Sequence, residues 1–185
     1  MLTLDQLARV AIVGTSCSGK TTLAASLANT LHAPHIELDA LYWGPNWTAC
    51  PTEQLRAVVD QATAQPRWVC DGNYSMVRDL VWPRATSIVW LNYSFSLVFT
   101  RALRRTFSRC FHRTTIYAGN RESFSKSFLS RDSILLWVFN SHGRLKREYS
   151  RALKDPQYKE VNLIKLNSAS AADQFLAAVR RLALE

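Results

Sequence analysis

The segment Gly14-Thr15-Ser16-Cys17-Ser18-Gly19-Lys20-Thr21 fits G-x-x-x-x-G-K-[ST], the phosphate-binding P-loop. The spacing follows from chemistry. Glycines let the backbone curl so that successive N–H groups converge on phosphate oxygens. Lys20 reaches the β- and γ-phosphates as a point charge, and the Thr21 hydroxyl is placed to ligate Mg²⁺. Thr22 completes the set of predicted nucleotide contacts, at the start of a helix whose positive end faces the anion.

The flanks supply the context that this motif needs. Arg9-Val10-Ala11-Ile12-Val13 reads as a short buried strand, and Leu23, Leu27 and Leu31 recur at helical spacing. Further short apolar runs, His35–Leu38, Arg67–Cys70, Ser87–Leu91 and Val161–Leu166, read as strands buried on both faces of a parallel sheet. Helical patterns alternate with them around Leu55 to Ala62, Ser94 to Phe107, Ser133 to Leu153, and Phe175 to Leu182. Alternating strands and helices predict an α/β doubly wound sheet, with ligands at one sheet edge.

Three segments follow strands on that edge. The first is the P-loop. The second is a loop starting at Asp39 and crowded by Tyr42, Trp43 and Trp47; the third starts at Asp71-Gly72-Asn73. A carboxylate at a strand end beside a P-loop is well placed to hold Mg²⁺ directly or through water. Asp71 follows Trp68-Val69-Cys70 in the manner of a Walker-B acid. Asp39 is either a second metal contact or the base that orients an acceptor hydroxyl. The aromatic residues either stack a base or sugar or pack a flap onto the core.

Composition narrows the field. With 185 residues the chain suits one domain spanning 1–185. No basic and apolar leader is visible, no stretch reads as a membrane span, and four separated cysteines form neither a zinc pattern nor a disulfide framework. The expected compartment is the cytoplasm. The net charge is +9. From Leu80 to Arg121 there is no acid, while Arg84, Arg101, Arg104, Arg105, Arg109, Arg113 and Arg121 lie there. Such a zone attracts anions: nucleotide phosphates, a phosphorylated substrate or nucleic acid.

Taken in order, these segments resemble the nucleoside monophosphate kinase group of P-loop kinases, which includes adenylate kinase and shikimate kinase. More narrowly, Glu37 to Trp47, Asp71 to Ser75, Gly119 to Ser123 and Arg147-Glu148-Tyr149 look like the bacterial topology modulation family of adenylate-kinase-related proteins. The resemblance implies a three-layer α/β/α P-loop fold. Its five parallel strands would run in the order 2-3-1-4-5, and a basic helical lid at about 108–131 would close over ATP. It implies that Asp71 holds Mg²⁺ through water. Arg101, Arg104 or Arg105 matches the arginine helix leading into the lid, and Arg144 and Arg147 resemble phosphate clamps beyond it. Arg121, Lys126 and Arg131 continue the basic lid. The base would meet backbone around Asn167 to Ser170. One departure concerns the acceptor. Where adenylate kinase continues its Asp-Gly with Phe-Pro-Arg, this chain has Asn73, Tyr74 and Ser75, with Arg78 one turn on.

The leading expectation is therefore an ATP- and Mg²⁺-dependent phosphotransferase acting on a small anionic or hydroxylated acceptor. Lys20, Asp39, Arg105, Arg144 and Arg147 are the expected catalytic groups, and Arg104 the further nucleotide contact. Thr21 and Asp71 are the metal pair. Asp39, Tyr42, Trp43, Asn73, Arg78 and Arg121 face the acceptor. Two alternatives stand beside it: a nucleotide-dependent regulator that binds DNA, and an NTPase switch without an acceptor. No named DNA-reading motif is evident, and lid arginines already explain much of the charge.

Overall fold

The computed structural model describes residues 2–112, 115–120 and 133–184. Arg113, Arg121, Lys126 and Arg131, and with them most of the expected lid, lie outside the described residues.

Five strands, β1 (Arg9–Gly14), β2 (His35–Glu37), β3 (Trp68–Asp71), β4 (Ser87–Leu91) and β5 (Asn162–Leu166), form one parallel sheet in the order β2-β3-β1-β4-β5. Ile12 pairs with both Asp71 and Val89 across the centre, and Glu37 pairs with Asp71 towards the β2 edge. The strand C-termini therefore share one edge, as the alternating pattern requires.

The helices are α1 (Lys20–Thr30), α2 (Leu38–Tyr42), α3 (Thr52–Thr63), α4 (Arg78–Val81), α5 (Phe95–His112), α6 (Ile134–Ala152) and α7 (Ala169–Leu182). Strand alternation splits the core in two. Val10, Ile12, Val69 and Val89 pack with Leu23 and Leu27 of α1, Val98 of α5 and Phe175 of α7. Ala11, Val13, Cys70 and Trp90 pack on the opposite face with Leu55 of α3, Val81 of α4 and Tyr149 of α6. These two layers of helices around the sheet are the three-layer α/β/α fold.

Two expectations need correction. β5 is an edge strand rather than one buried on both faces. Ile164 and Leu166 pack beside α7, whereas Leu163 is 44% exposed and Lys165 lies over the Trp90 ring at 4.8 Å. The expected strand His35–Leu38 also stops one residue early. Buried Leu38 opens α2, so Asp39 sits in the first turn of a short helix and not in a loop. The physical reason is a contact across the sheet edge: Leu38 fills the space over Gly72, where no Cβ intervenes.

Candidate active site

The P-loop leaves β1 at Gly14 with φ +154°, where a Cβ would meet the Leu91 carbonyl oxygen at 2.9 Å. Close approach to β4 thus demands glycine there. Three side chains fix the loop by accepting or donating at its backbone. Asn73 Nδ2 donates to the Gly14 carbonyl at 2.5 Å, Lys20 Nζ to the Thr15 carbonyl at 3.1 Å, and Arg101 Nη1 to the Ser18 carbonyl at 2.8 Å. The hydroxyls of Thr15 and Ser18 are buried in the loop without a partner among the described residues. Buried polar groups normally find partners, and an anion cradled by the loop would supply them. This donor-rich cradle fits a nucleotide phosphate.

Behind Lys20, the Thr21 hydroxyl donates to Asp71 Oδ2 at 2.8 Å, at the end of β3. Asp71 is 2% exposed, and its other oxygen lies 2.7 Å from His35 Nε2, which donates to it. A carboxylate at such depth requires partners on both oxygens. Among the described residues no group of three or more His, Cys, Asp or Glu could hold a metal. A threonine hydroxyl plus one carboxylate suits Mg²⁺, which keeps waters and phosphate oxygens in its shell. His35 escapes sequence reading because its role depends on register. It pairs with Val69, which puts it on the same sheet face as Asp71, two residues along.

Asp39, like Asp71, lies near enough to Lys20 to act on its charge. Tyr74 donates its hydroxyl to Asp39 Oδ1 at 2.7 Å, and Tyr117 donates to Glu37. Burial, followed by the Asp39 charge, holds the Tyr74 phenol well above the usual tyrosine range. Burial first and the Glu37 hydrogen bond second do the same for Tyr117. Burial also holds the Lys20 ammonium below the usual lysine range, against the opposing pull of Asp39 and Asp71. Phosphate anions at the loop would favour the charged lysine.

The aromatic segment packs as a continuous chain of rings. Tyr42 lies 4.6 Å from Tyr74 and 4.8 Å from Trp43, and Trp43 lies 5.7 Å from Trp47. Asn46 and Trp47 both adopt left-handed backbone, φ 56° and 59°. For a bulky residue such as tryptophan that conformation is strained. The buried Asn120 amide holds it: Oδ1 accepts from Trp47 N–H at 3.1 Å, and Nδ2 donates to the Gly44 carbonyl at 2.8 Å.

The remaining predicted residues divide. Ser16 accepts from Trp137 Nε1 of α6 at 3.2 Å, and Arg144 lies over that indole at 5.8 Å. Cys17 is half-buried with φ 63°, and Thr22 is exposed on α1. Of the α5 arginines, Arg101 clasps the P-loop, Arg105 interacts electrostatically with Lys20, and Arg104 is exposed. The Arg105 Nε is buried and has no partner among the described residues. Arg147 is exposed on α6. Arg78 is bound to Glu148 at 2.6 Å and stacks on Trp82, while Asn73 is committed to Gly14. His35, Glu37, Tyr74, Tyr117, Asn120 and Trp137 join the site without having been among its expected members.

A five-stranded parallel sheet in the order 2-3-1-4-5, with a glycine loop between its central strand and α1, is the P-loop kinase fold. Solved structures carry the same fold along nearly the full chain. Shikimate kinase from Acinetobacter baumannii, in complex with shikimate, aligns with a TM-score of 0.55 at 19% identity. The alignment covers 98% of this chain and 95% of that one. Shikimate kinase from Bacteroides thetaiotaomicron aligns with a TM-score of 0.54 at 15% identity, covering 96% and 99%. No protein-family model and no curated protein matches the chain. Among the described residues no helix is long and apolar enough to cross a membrane.

Proposed function

We propose that this protein is an ATP-dependent phosphotransferase acting on a small acceptor. The observation that carries this reading is the cluster at the P-loop: Thr21 bonded to buried Asp71, with both Asp71 and Asp39 close enough to Lys20 to act on its charge. ATP with Mg²⁺, when bound, would supply the phosphoryl group and neutralise its charge. Gly14 to Thr22 would hold the phosphates, and Thr21 with Asp71 the metal. His35 keeps the Asp71 carboxylate turned towards Thr21. Asp39 accepts a hydrogen bond from the acceptor hydroxyl and orients it for attack. Arg105, with Arg144 and Arg147 of α6, supplies positive charge around the transferring group, and Arg121 is assigned to the acceptor by sequence alone. Work of this kind is mostly positioning and electrostatics. The narrower likeness to the topology modulation family rests on sequence motifs alone, with no matching family model behind it.

Asp71→Asn tests the metal assignment. The substitution keeps the shape of a side chain hydrogen-bonded at both oxygens and removes its charge. Mg²⁺-dependent turnover is expected to fall about 100-fold, a loss typical of removing one group that stabilises transition-state charge. Mg²⁺-free nucleotide binding, measured by calorimetry, is expected to stay nearly unchanged. Equal loss of both would make Asp71 a structural residue.

A further inference from the structure

We propose that Asn120 is a positioning residue for the acceptor side: with Tyr117 it clamps the segment 37–47 at both ends and so sets where Asp39 and the aromatic rings stand. The functional half of this rests on the phosphotransferase reading above.

The far end of that segment is a turn closed on itself. Gly44 N–H donates to the Thr48 carbonyl at 2.8 Å, Thr48 N–H to the Pro45 carbonyl at 3.2 Å, and Cys50 N–H to the Tyr42 carbonyl at 2.8 Å. The Gly44 carbonyl and the Trp47 N–H take no part in this closure. A primary amide carries an acceptor and donors side by side, and Asn120 supplies one of each, Oδ1 to Trp47 and Nδ2 to Gly44. It does so from 6% exposure, where water competes little for either bond.

The turn that carries Asn120 is closed in the same way. Ile116 N–H donates to the Asn120 carbonyl at 2.8 Å, and Asn120 N–H to the Tyr117 carbonyl at 3.0 Å. The backbone of Asn120 is therefore satisfied within its own turn, and its side chain is spent entirely on the other. Both turns use left-handed backbone, at Asn46 and Trp47 on one side and at Ala118 and Gly119 on the other. Asparagine and glycine adopt that conformation readily, whereas tryptophan resists it. Such a residue keeps it only where its surroundings impose it, and residues of this kind cluster at functional sites. The amide that imposes it on Trp47 comes from 73 positions along the chain.

The second tie lies at the near end. Tyr117 donates its hydroxyl to Glu37, the last residue of β2, and α2 with Asp39 in its first turn begins at the next residue. Tyr117 and Asn120 thus hold the chain just before Asp39 and just after Tyr42 and Trp43. Releasing either end would let Asp39 and the rings move relative to the P-loop, and catalysis is sensitive to displacements of about 1 Å.

The test begins with amide hydrogen exchange, read by NMR on the full chain. Asn120→Ala is expected to speed exchange at Trp47 at least about tenfold. Asn120→Asp, which removes only the donor to Gly44, should give a smaller increase. Ile12 and Val89 in the central strands should keep their protection in both variants. Unchanged exchange at Trp47 would overturn the proposal. So would equal acceleration at Ile12 and Val89, which would make Asn120 a support of the whole fold. The second readout is γ-phosphate transfer from Mg-ATP to a panel of sugars, nucleosides and nucleoside monophosphates. For the acceptor that is labelled, Asn120→Ala should raise KM at least about tenfold and leave the KM for ATP within about twofold. Tyr117→Phe should also raise the acceptor KM, and the double variant should raise it by less than the product of the two, because both ties hold one segment. An unchanged acceptor KM, or an equal rise for acceptor and ATP, would contradict the positioning role. A wild type that labels no acceptor would refute the phosphotransferase, while exchange at Trp47 would still decide the clamp.

Discussion

Replacing Lys20 by alanine is expected to lower γ-phosphate transfer by about 100- to 1000-fold, the range for removing one preorganised donor to transition-state charge. The fold should survive. Among the described residues the ammonium donates one hydrogen bond, to the Thr15 carbonyl, and burial already disfavours its charged form. Its loss should change unfolding free energy by no more than about 1 kcal/mol. A thermal melt and single-turnover kinetics on the same preparation check both halves. Normal turnover in the variant would remove the P-loop from the mechanism.

Gly72→Ala is expected to act in the opposite way, through stability. Gly72 has φ +144°, and a Cβ there would lie 2.6 Å from Leu38 Cβ and 2.9 Å from Leu38 Cδ1. Backbone strain of about 1–3 kcal/mol adds to overpacking of about 1–3 kcal/mol. Leu38 is 3% exposed and has little room to yield. A total near 4 kcal/mol would lower Tm by about 10 °C in a domain of this size. Gly119→Ala is the internal control. Its φ is +78°, but among the described residues nothing lies within 4 Å of the added carbon, so it should cost about 1 kcal/mol. Equal losses in the two variants would mean that Leu38 does not rest on Gly72. The contact matters for chemistry as well, because Leu38 precedes Asp39 and Gly72 follows Asp71.

The features legible in the sequence are those written in local pattern. Gly14 to Thr21 names a strand-loop-helix unit by itself, and the apolar run Ser87–Leu91 coincides with β4. The strand order came from a family resemblance, and the sheet bears it out. What the sequence hides depends on register and on partners far along the chain. His35 looks like an unremarkable strand residue until parallel pairing brings it to Asp71, 36 positions away. Asn73 and Arg78 read as acceptor ligands because they follow the strand-end acid. The fold instead spends Asn73 on the Gly14 backbone and Arg78 on Glu148. Tyr117 and Asn120 sit beside the basic segment whose arginines dominate the reading. Nothing local shows that their side chains reach back to Glu37 and to the Gly44–Trp47 turn. The edge position of β5 is likewise invisible in Val161–Leu166, since an apolar run does not reveal which face a helix will cover.

The central claim is tested most directly by γ-phosphate transfer from labelled Mg-ATP to a panel of sugars, nucleosides, nucleoside monophosphates and short oligonucleotides, with Lys20→Ala alongside. The phosphotransferase reading predicts labelled product on one class of small acceptor, absent in the variant. Bound Mg-ATP that yields only phosphate, or no product at all, would contradict it, and DNA affinity falling steeply with salt would then favour the nucleic-acid regulator.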